Sequence, residues 1–472
     1  MHGNIDLMNW KNKTINDKEK EMQENKKQGL HKINIKTNAI IFMIAYIAIL
    51  IAILNLFRLP YTVDQHDVLY GLPEGGDGYY GDHLDYIREI ADNHRLPQSN
   101  DLQFYHPPLH HFICAIFLKG IEVFTSDIEV QNALLQLVPL LEYIIMMVVI
   151  CKLLKTLHIT GKYKILLFVL LILHPSHFML SRSLNNDILV TLLVYATLWR
   201  AFKWYQKSTV KNILLVGLFA GLAVMTKVSA GLVAIPILYL LIKRIIHDYK
   251  ESENHKAVVK KYIGQTILLG VTALPIGLWY PIRNYIKFNQ SFFYVLDPTK
   301  IFDFDYVGDK SIWQRYGFDL TQNAIFFKGK SSYNIPLGVI QTSIMGELGG
   351  IHYAKMVSMV LFMNTIAIGY SIYSFIKHLF AKAYTKKHRT TKIALAAFLI
   401  INCISFVMVN NKLAYPCTMH FRYLLPSVFI AGVFIKYQLD SVRHKSKEFE
   451  KLLFAVILFF ALFMYMLAIL AQ

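Results

Sequence analysis

The chain has 472 residues, of which 55% are apolar and only 17% charged, and its formal net charge is +18. The apolar residues gather in long runs that are apolar on all sides, which argues against a soluble protein, whose helices also face water. The basic residues lie in short loops between these runs and not on one folded surface, which indicates cytoplasmic loops and argues against nucleic-acid binding. The four cysteines have no metal-ligand spacing and predict neither a disulfide nor a zinc site.

The first segment in chain order, residues 1–37, is rich in Lys, Asn, Gln and Glu and predicts a disordered cytoplasmic tail. Residues 38–472 then form the predicted membrane domain, which is all-α with about eleven transmembrane helices, at most about thirteen, because runs of about 20 apolar residues cross a bilayer. The predicted spans are residues 39–58, 130–155, 165–180, 188–204, 212–225, 229–243, 262–281, 354–377, 392–409, 423–438 and 452–470.

Residues 107–125 decide the predicted topology. They are apolar but short, open with two prolines and two histidines, and contain Lys119 and Glu122. If this segment crosses the membrane, the basic loops that follow it lie outside; if it lies at the outer surface, they lie in the cytoplasm, as the positive-inside rule requires. We therefore predict a helix that lies on the outer surface or enters the membrane partway.

This topology predicts a plasma-membrane protein with a cytoplasmic N-terminus and two large extracytoplasmic loops, residues 59–129 and 283–353. Four charged residues then fall at the outer ends of spans. They are Asp187, Lys227, Arg283 and Arg422. Charges near lipid are costly without a function or a partner, so their shared level predicts an active site at the outer membrane face, although snorkelling to headgroups is the alternative for the arginines.

The first outer loop is dense in Asp, His and Tyr. The run Asp82-His-Leu-Asp-Tyr86 opens an amphipathic helix, with Asp82 as its N-cap or first-turn residue. Three histidines, His106, His110 and His111, flank two prolines further along. A purely capping role for Asp82 is the structural alternative, and the concentration of carboxylates and histidines in one loop favours a catalytic role.

Five pieces of the sequence resemble, in the same order, the GT-C glycosyltransferases that use polyprenyl-phosphate-linked sugars, such as protein O-mannosyltransferases and lipid A aminoarabinose transferases. The first piece is Asp82 to Tyr86 followed by Leu96-Pro97 and Tyr105-His-Pro-Pro-Leu109. The later pieces are Ser181-Arg182 to Asn186-Asp187, Gly221-Leu222 to Thr226-Lys227, Arg283-Asn284, and His420-Phe-Arg-Tyr-Leu-Leu-Pro426. The resemblance implies a membrane hexosyl- or pentosyltransferase with an extracytoplasmic active site.

Such an enzyme needs a base for the acceptor hydroxyl and positive charge on the departing phosphate. We expect Asp82 to be the base, although His83 replaces the second acid of the family's usual Asp-Glu pair, which leaves Asp85, Asp77 and Asp64 as alternatives. The residues expected to bind substrate and phosphate are Asp187, Lys227, Arg283, Arg422 and His106. The resemblance also implies inversion at the anomeric carbon, a polyprenyl-phosphate sugar as donor, and a lipid, glycan or protein as acceptor.

The sequence identifies no cofactor. His83 and His106, with Asp82 or Asp85, are candidate ligands of a divalent metal ion, and solvated histidines are the alternative. Aromatic residues of the second loop are expected to stack on sugars or to lie in the interfacial belt. They include Tyr294, Phe302, Phe304 and Tyr306, and Glu347 is a further acidic candidate.

Two other functions fit a polytopic chain. A transporter or lipid flippase would place charges near the bilayer midplane and commonly shows repeated halves, which this sequence lacks. A polymerase or ligase of lipid-linked polysaccharides would share the arginines at the outer face but would not explain the acidic first loop.

Overall fold

The computed structural model describes residues 35–61, 67–68, 81–292, 294, 310–317, 333–346, 354–381 and 385–471. Over these residues the chain is helical and contains no strand, which confirms the predicted all-α class. The α-helices are α1 Ile35–Arg58, α2 His83–Asn93, α3 Leu109–Glu122, α4 Ile128–Leu135, α5 Leu137–Thr156, α6 Gly161–Ile172, α7 Pro175–Leu180, α8 Asp187–Gln206, α9 Val210–Val224, α10 Ala234–Glu251, α11 His255–Phe288, α12 Ile312–Tyr316, α13 Ile335–Met345, α14 Ala354–Phe380, α15 Thr385–Lys412, α16 Ser427–Lys445 and α17 Lys447–Ala471. Short 3-10 helices cover Leu102–Tyr105, Val228–Val233, Pro416–Met419 and Phe421–Leu424.

Within the described ranges, six helical segments are long and apolar enough to cross a membrane, so the chain is an integral multi-pass membrane protein. They are Ile35–Arg58, Ile128–Thr156, Val228–Glu251, His255–Phe288, His388–Lys412 and Lys447–Leu470. A bent pair, Cys417–Leu424 with Ser427–Lys445, makes a seventh if its 50° bend lies within one span. The predicted count of eleven is not confirmed, and the sides of the membrane stay predictions.

One predicted span, residues 165–180, is broken into α6 and α7. The break falls at Leu173 and His174, and α7 begins at Pro175. Proline has no backbone N–H and disfavours a helical conformation in the residue before it, and His174 accordingly has φ −65° and ψ 126°. The apolar run is therefore longer than either of the two helices that it forms.

The segment that decides the topology forms α3, which is 14 residues long. At 1.5 Å per residue this helix spans about 21 Å, less than the hydrocarbon core of about 30 Å. Its buried side, which includes His111 and Leu118, packs against α2, whereas Ile116 and Phe117 on the helix are 73% and 41% exposed. The length and the two dissimilar faces fit the predicted interfacial helix.

Helix α8 lies at the centre of the bundle and is buried on nearly all sides by α5, α9 and α10. Helix α9 also packs closely on α11, and glycines allow the two helices to approach each other. A Cβ built on Gly221 would lie 2.9 Å from both the carbonyl oxygen of Ala273 and Cβ of Ile276. Gly217 meets Thr272 in the same way. We name this contact the glycine seam.

We expect Gly221→Ala to lower the free energy of unfolding by about 1–3 kcal/mol, because the added methyl group forces α9 and α11 apart. Thermal melting of the purified protein in nanodiscs would measure the change. Gly264→Ala is the matched control on α11, since its Cβ would meet nothing within 4 Å. Equal melting temperatures for the two variants would contradict the close packing.

Candidate active site

Three of the four charged residues predicted at the outer ends of spans meet in the structure. Nζ of Lys227 lies 2.6 Å from Oδ1 of Asp187, and Nη1 of Arg422 lies 3.5 Å from Oδ2 of the same carboxylate. Arg422 Nη1 also lies 2.8 Å from Oδ2 of Asp67. We name Asp67, Asp187, Lys227 and Arg422 the charged cluster. Its side chains are at most 12% exposed, so each charge is balanced by a buried partner.

Helix ends position three members of the charged cluster. Asp187 is the first residue of α8, where the positive end of the helix favours a carboxylate. Lys227 precedes the 3-10 helix Val228–Val233 after α9 ends, and Asn186 Nδ2 donates to the carbonyl of Thr226 at 3.1 Å. Arg422 lies in the 3-10 helix Phe421–Leu424, and its N–H donates to Nδ1 of His420 at 2.9 Å.

Asp67 enters the charged cluster from the first outer loop. Its backbone carbonyl accepts the N–H of His83 at 3.1 Å, and the carbonyl of Val68 accepts that of Leu84 at 3.3 Å. These two bonds use free N–H groups of the first turn of α2. The aspartate is thus fixed between the start of α2 and Arg422. Among the aspartates of this loop, the sequence motifs point to Asp82, Asp85, Asp77 and Asp64 but not to Asp67.

Asp82 and Asp85 form a capping box at the start of α2. Oδ1 of Asp82 accepts the N–H of Asp85 at 2.8 Å, and Oδ2 of Asp85 accepts the N–H of Gly81 at 2.7 Å and that of Asp82 at 3.4 Å. The prediction that Asp82 is the N-cap is therefore confirmed. Burial raises the pKa of Asp85 above its ordinary value, and the two N–H donors act against this shift.

A group of buried histidines lies beside the charged cluster. Nδ1 of His83 is 2.9 Å from Nε2 of His111, and Nε2 of His83 is 3.7 Å from Oδ2 of Asp67. His106 stacks on His83 with ring centroids 5.8 Å apart, and Tyr86 stacks on His111 at 4.0 Å. Among the described residues no group of three or more His, Cys, Asp or Glu is arranged to hold a metal ion. The metal role of His83 stays a prediction.

We expect the protein to lose stability as the pH falls below about 6.5. Burial lowers the pKa of His106 well below its ordinary value, with Lys227 adding to the effect, and burial and His83 do the same for His111. Each unfolded histidine then binds a proton near pH 6.5 that the folded one does not, which costs about 1.4 kcal/mol per histidine for each pH unit below that value. Melting at pH 7.5 and 5.5 would measure the loss, and His106→Gln should reduce the slope. A slope unchanged by this substitution would contradict the assignment.

Arg283, predicted to bind phosphate, is not part of the charged cluster. Its Nη2 donates to the carbonyl of Pro97 and its Nη1 to Oδ1 of Asn284, both at 2.8 Å, and its guanidinium lies 5.3 Å from the ring centre of Tyr280. Tyr280 in turn accepts a hydrogen bond from the hydroxyl of Tyr86 at 2.7 Å. These contacts hold the first outer loop against α11.

A small cleft with a cavity volume of about 40 Å³ lies beside the charged cluster. Its polar end is formed by Asp187, Lys227 and Arg422, with Nζ of Lys227 4.9 Å above the ring of Tyr423. The rest of its wall is mixed. Its apolar residues are Val190, Val194, Ala230, Phe398 and Pro426, and its polar ones include Thr191, Ser229 and Asn402. The cleft thus places two cations, each paired with a carboxylate, beside a partly apolar wall.

Several predicted residues lie outside the described part of the chain. They are Asp64, Asp77, Phe302, Phe304, Tyr306 and Glu347. Of the aromatic residues named in the second outer loop, the structure describes Tyr294, whose ring packs edge to face on Tyr105 at 5.4 Å. Tyr105 adjoins His106, so this contact brings the second outer loop beside the first.

Residues 105–279 match a family model described as dolichyl-phosphate-mannose-protein mannosyltransferase, which is less than half of the chain. This segment contains His106, Asp187 and Lys227. The match confirms the resemblance to GT-C membrane glycosyltransferases that was drawn from the sequence motifs. No curated protein matches the chain by sequence.

Two solved structures cover most of this chain at low identity. One is ArnT from Cupriavidus metallidurans bound to undecaprenyl phosphate, at 14% identity and a TM-score of 0.46, covering 89% of this chain and 63% of its own. The other is the Archaeoglobus fulgidus oligosaccharyltransferase in the apo form, also at 14% and 0.46, covering 91% and 56%. This chain therefore spans less than two thirds of the length of either protein.

Proposed function

We propose that the protein is a membrane glycosyltransferase that moves a sugar from a polyprenyl phosphate to a hydroxyl group of an extracytoplasmic lipid, glycan or protein, with inversion. The observation that supports this proposal is the cleft, in which two buried cations, each paired with a carboxylate, stand at one end of a partly apolar wall. A phosphate between a sugar and a prenyl chain has the same division between anionic and apolar parts.

Lys227 and Arg422 would bind the donor phosphate and stabilise it as the leaving group. A sugar-linked phosphodiester carries one negative charge, and the polyprenyl phosphate that departs carries up to two. Positive groups fixed at the phosphate therefore contribute more in the transition state than in the ground state. Arg422 is suited to bidentate contact with the phosphate, whereas Lys227 acts as a point charge.

The acceptor hydroxyl also needs a base, and the proposal takes an aspartate of the first outer loop for this role. Asp82 is the residue predicted from sequence, and Asp67 is a second carboxylate, in direct contact with Arg422. His106 and Asp187 lie beside these groups. His106 stacks on His83, and Asp187 forms ion pairs with both Lys227 and Arg422.

The proposal is tested by incubating the purified protein in nanodiscs with a panel of radiolabelled polyprenyl-phosphate hexoses and pentoses and a membrane extract as acceptor. We expect transfer from one class of donor by the wild type, and a reduced rate for Asp82→Asn if Asp82 is the base. Asp92→Asn is the matched control, an exposed carboxylate on the same helix that pairs with Lys119. No transfer from any donor would favour a transporter.

The proposed extracytoplasmic location of the site is tested separately by reporter fusions after residues 125 and 160. We expect an outside signal at 125 and a cytoplasmic signal at 160. A cytoplasmic signal at 125 would mean that α3 crosses the membrane, and the proposed placement of the site at the outer face would fail.

A further inference from the structure

We propose that a groove between the ends of α10 and α11 that are predicted to be cytoplasmic binds an anionic phospholipid. The groove has a cavity volume of about 440 Å³, within the range of about 300–1,000 Å³ that is typical of ligand sites. It lies far from the charged cluster, because α10 begins shortly after Lys227 and has 18 residues, which extend over about 27 Å. The inference is therefore independent of sugar transfer. The residues that line the groove are Tyr249, His255, Lys256, Val259, Lys260 and Ile263.

The groove contains two cations whose charge the protein does not balance. Lys256 and Lys260 are four residues apart on one face of α11, where like charges repel each other. None of the described residues that line the groove is acidic. The carboxylate of Asp248, on α10, is already paired with Nε of Arg244 at 3.0 Å and with Nζ of Lys261 at 3.3 Å. An anion bound in the groove would therefore offset a repulsion that the fold leaves in place.

The turn between the two helices does not neutralise these lysines either. Within the described part of the chain, Glu251 and Glu253 of the turn form no ion pair with them. Beside the turn, the ring of Tyr249 stacks on that of His255, with centroids 4.1 Å apart and 16° between the planes. The stack joins α10 to α11 at the basic end of the groove, so the site is built from both helices.

Apolar side chains continue from the two lysines towards the middle of the membrane. Val259, Ile263 and Ile267 follow one another at four-residue intervals on an exposed face of α11. Ile246 is exposed one turn from Tyr249 on α10. A phospholipid has the same order, with its anionic head group at the interface and its acyl chains in the hydrocarbon. A soluble phosphate compound would match the lysines but not the apolar face, and retention of basic loops in the cytoplasm does not require a groove.

The test is equilibrium binding of radiolabelled dioleoyl-phosphatidylglycerol to the protein purified in maltoside micelles, with dioleoyl-phosphatidylcholine as the zwitterionic comparison. We expect a Kd for phosphatidylglycerol at least about tenfold below that for phosphatidylcholine. The double variant Lys256→Gln with Lys260→Gln should raise the Kd for phosphatidylglycerol about 30-fold, because each lysine near an anionic head group contributes about fivefold. The matched control is Lys207→Gln with Lys211→Gln, which removes two exposed lysines of the same spacing outside the groove. Its Kd should stay within about twofold of the wild type.

Thermal melting gives a second readout, because a ligand that binds the folded state stabilises it. Added phosphatidylglycerol should raise the melting temperature of the wild type and of the control variant but not that of the groove variant. Three results would overturn the inference: equal binding of the two lipids, an unchanged Kd for the groove variant, or an equal rise in Kd for the control. Displacement of the bound lipid by excess glycerol phosphate would overturn the choice of a lipid. None of these measurements depends on sugar transfer, so their failure would leave the proposed function standing.

Discussion

Arg422→Gln is expected to lower the rate of sugar transfer by about 10²–10³-fold, the largest effect on activity predicted for a substitution in this chain. Arg422 neutralises the departing phosphate in the proposed reaction, and loss of one fixed donor to a developing anion costs a rate factor of about this size. Its side chain is 3% exposed and contacts both Asp67 and Asp187. Because the position is buried, water cannot compensate for the positive charge that glutamine lacks. Initial rates with the donor identified from the panel would measure the change.

The matched control for this substitution is Arg95→Gln. Arg95 lies in the first outer loop and pairs with Glu89, but its side chain is 57% exposed, and we expect a transfer rate within about twofold of the wild type. Arg422→Lys should restore part of the rate, because it keeps the charge without the bidentate geometry. Transfer by Arg422→Gln at the rate of the control would exclude this arginine from phosphate binding.

Asp187→Ala is expected to lower the free energy of unfolding by about 3–5 kcal/mol, the largest effect predicted on stability. The substitution leaves Lys227 buried without its closest partner and removes one of the two carboxylates beside Arg422, and an unpaired buried charge costs about this much. Chemical unfolding in detergent, followed by tryptophan fluorescence, would measure it.

The double variant Asp187→Ala with Lys227→Met separates the ion pair from general packing. Removing both charges leaves neither unpaired. We therefore expect the double variant to lose about 1–3 kcal/mol less free energy of unfolding than the sum of the losses of the two single variants. Strictly additive losses would mean that Asp187 and Lys227 do not interact, contrary to their 2.6 Å contact.

The sequence predicted the parts of the site that lie at helix ends. Asp187, Lys227 and Arg422 each follow or begin an apolar run, so hydropathy and loop charge were enough to assign them to one level of the membrane. Asp82 carried an N-cap signature that the structure confirms. In each case a local pattern of a few residues determined the position.

The remaining residues depend on contacts between distant parts of the chain. Asp67 precedes α2 by many residues in a loop with no periodic pattern. Its carbonyl accepts the N–H of His83, and its carboxylate lies 2.8 Å from Nη1 of Arg422, so contacts between distant residues bring it to the site. Arg283 also lies near a helix end, but its guanidinium turns to Pro97. Hydropathy predicts that a charged residue lies at the end of an apolar segment, whereas tertiary packing determines the direction of its side chain.

The glycine seam has a consequence for affinity. Helix α9 ends at Val224, three residues before Lys227, and the close packing of Gly221 on α11 leaves the end of that helix little room to shift. The backbone at Lys227 is thus ordered on folding and does not have to be ordered on anion binding. Binding of the proposed donor phosphate would then cost less conformational entropy, so fewer contacts would be needed for a given affinity.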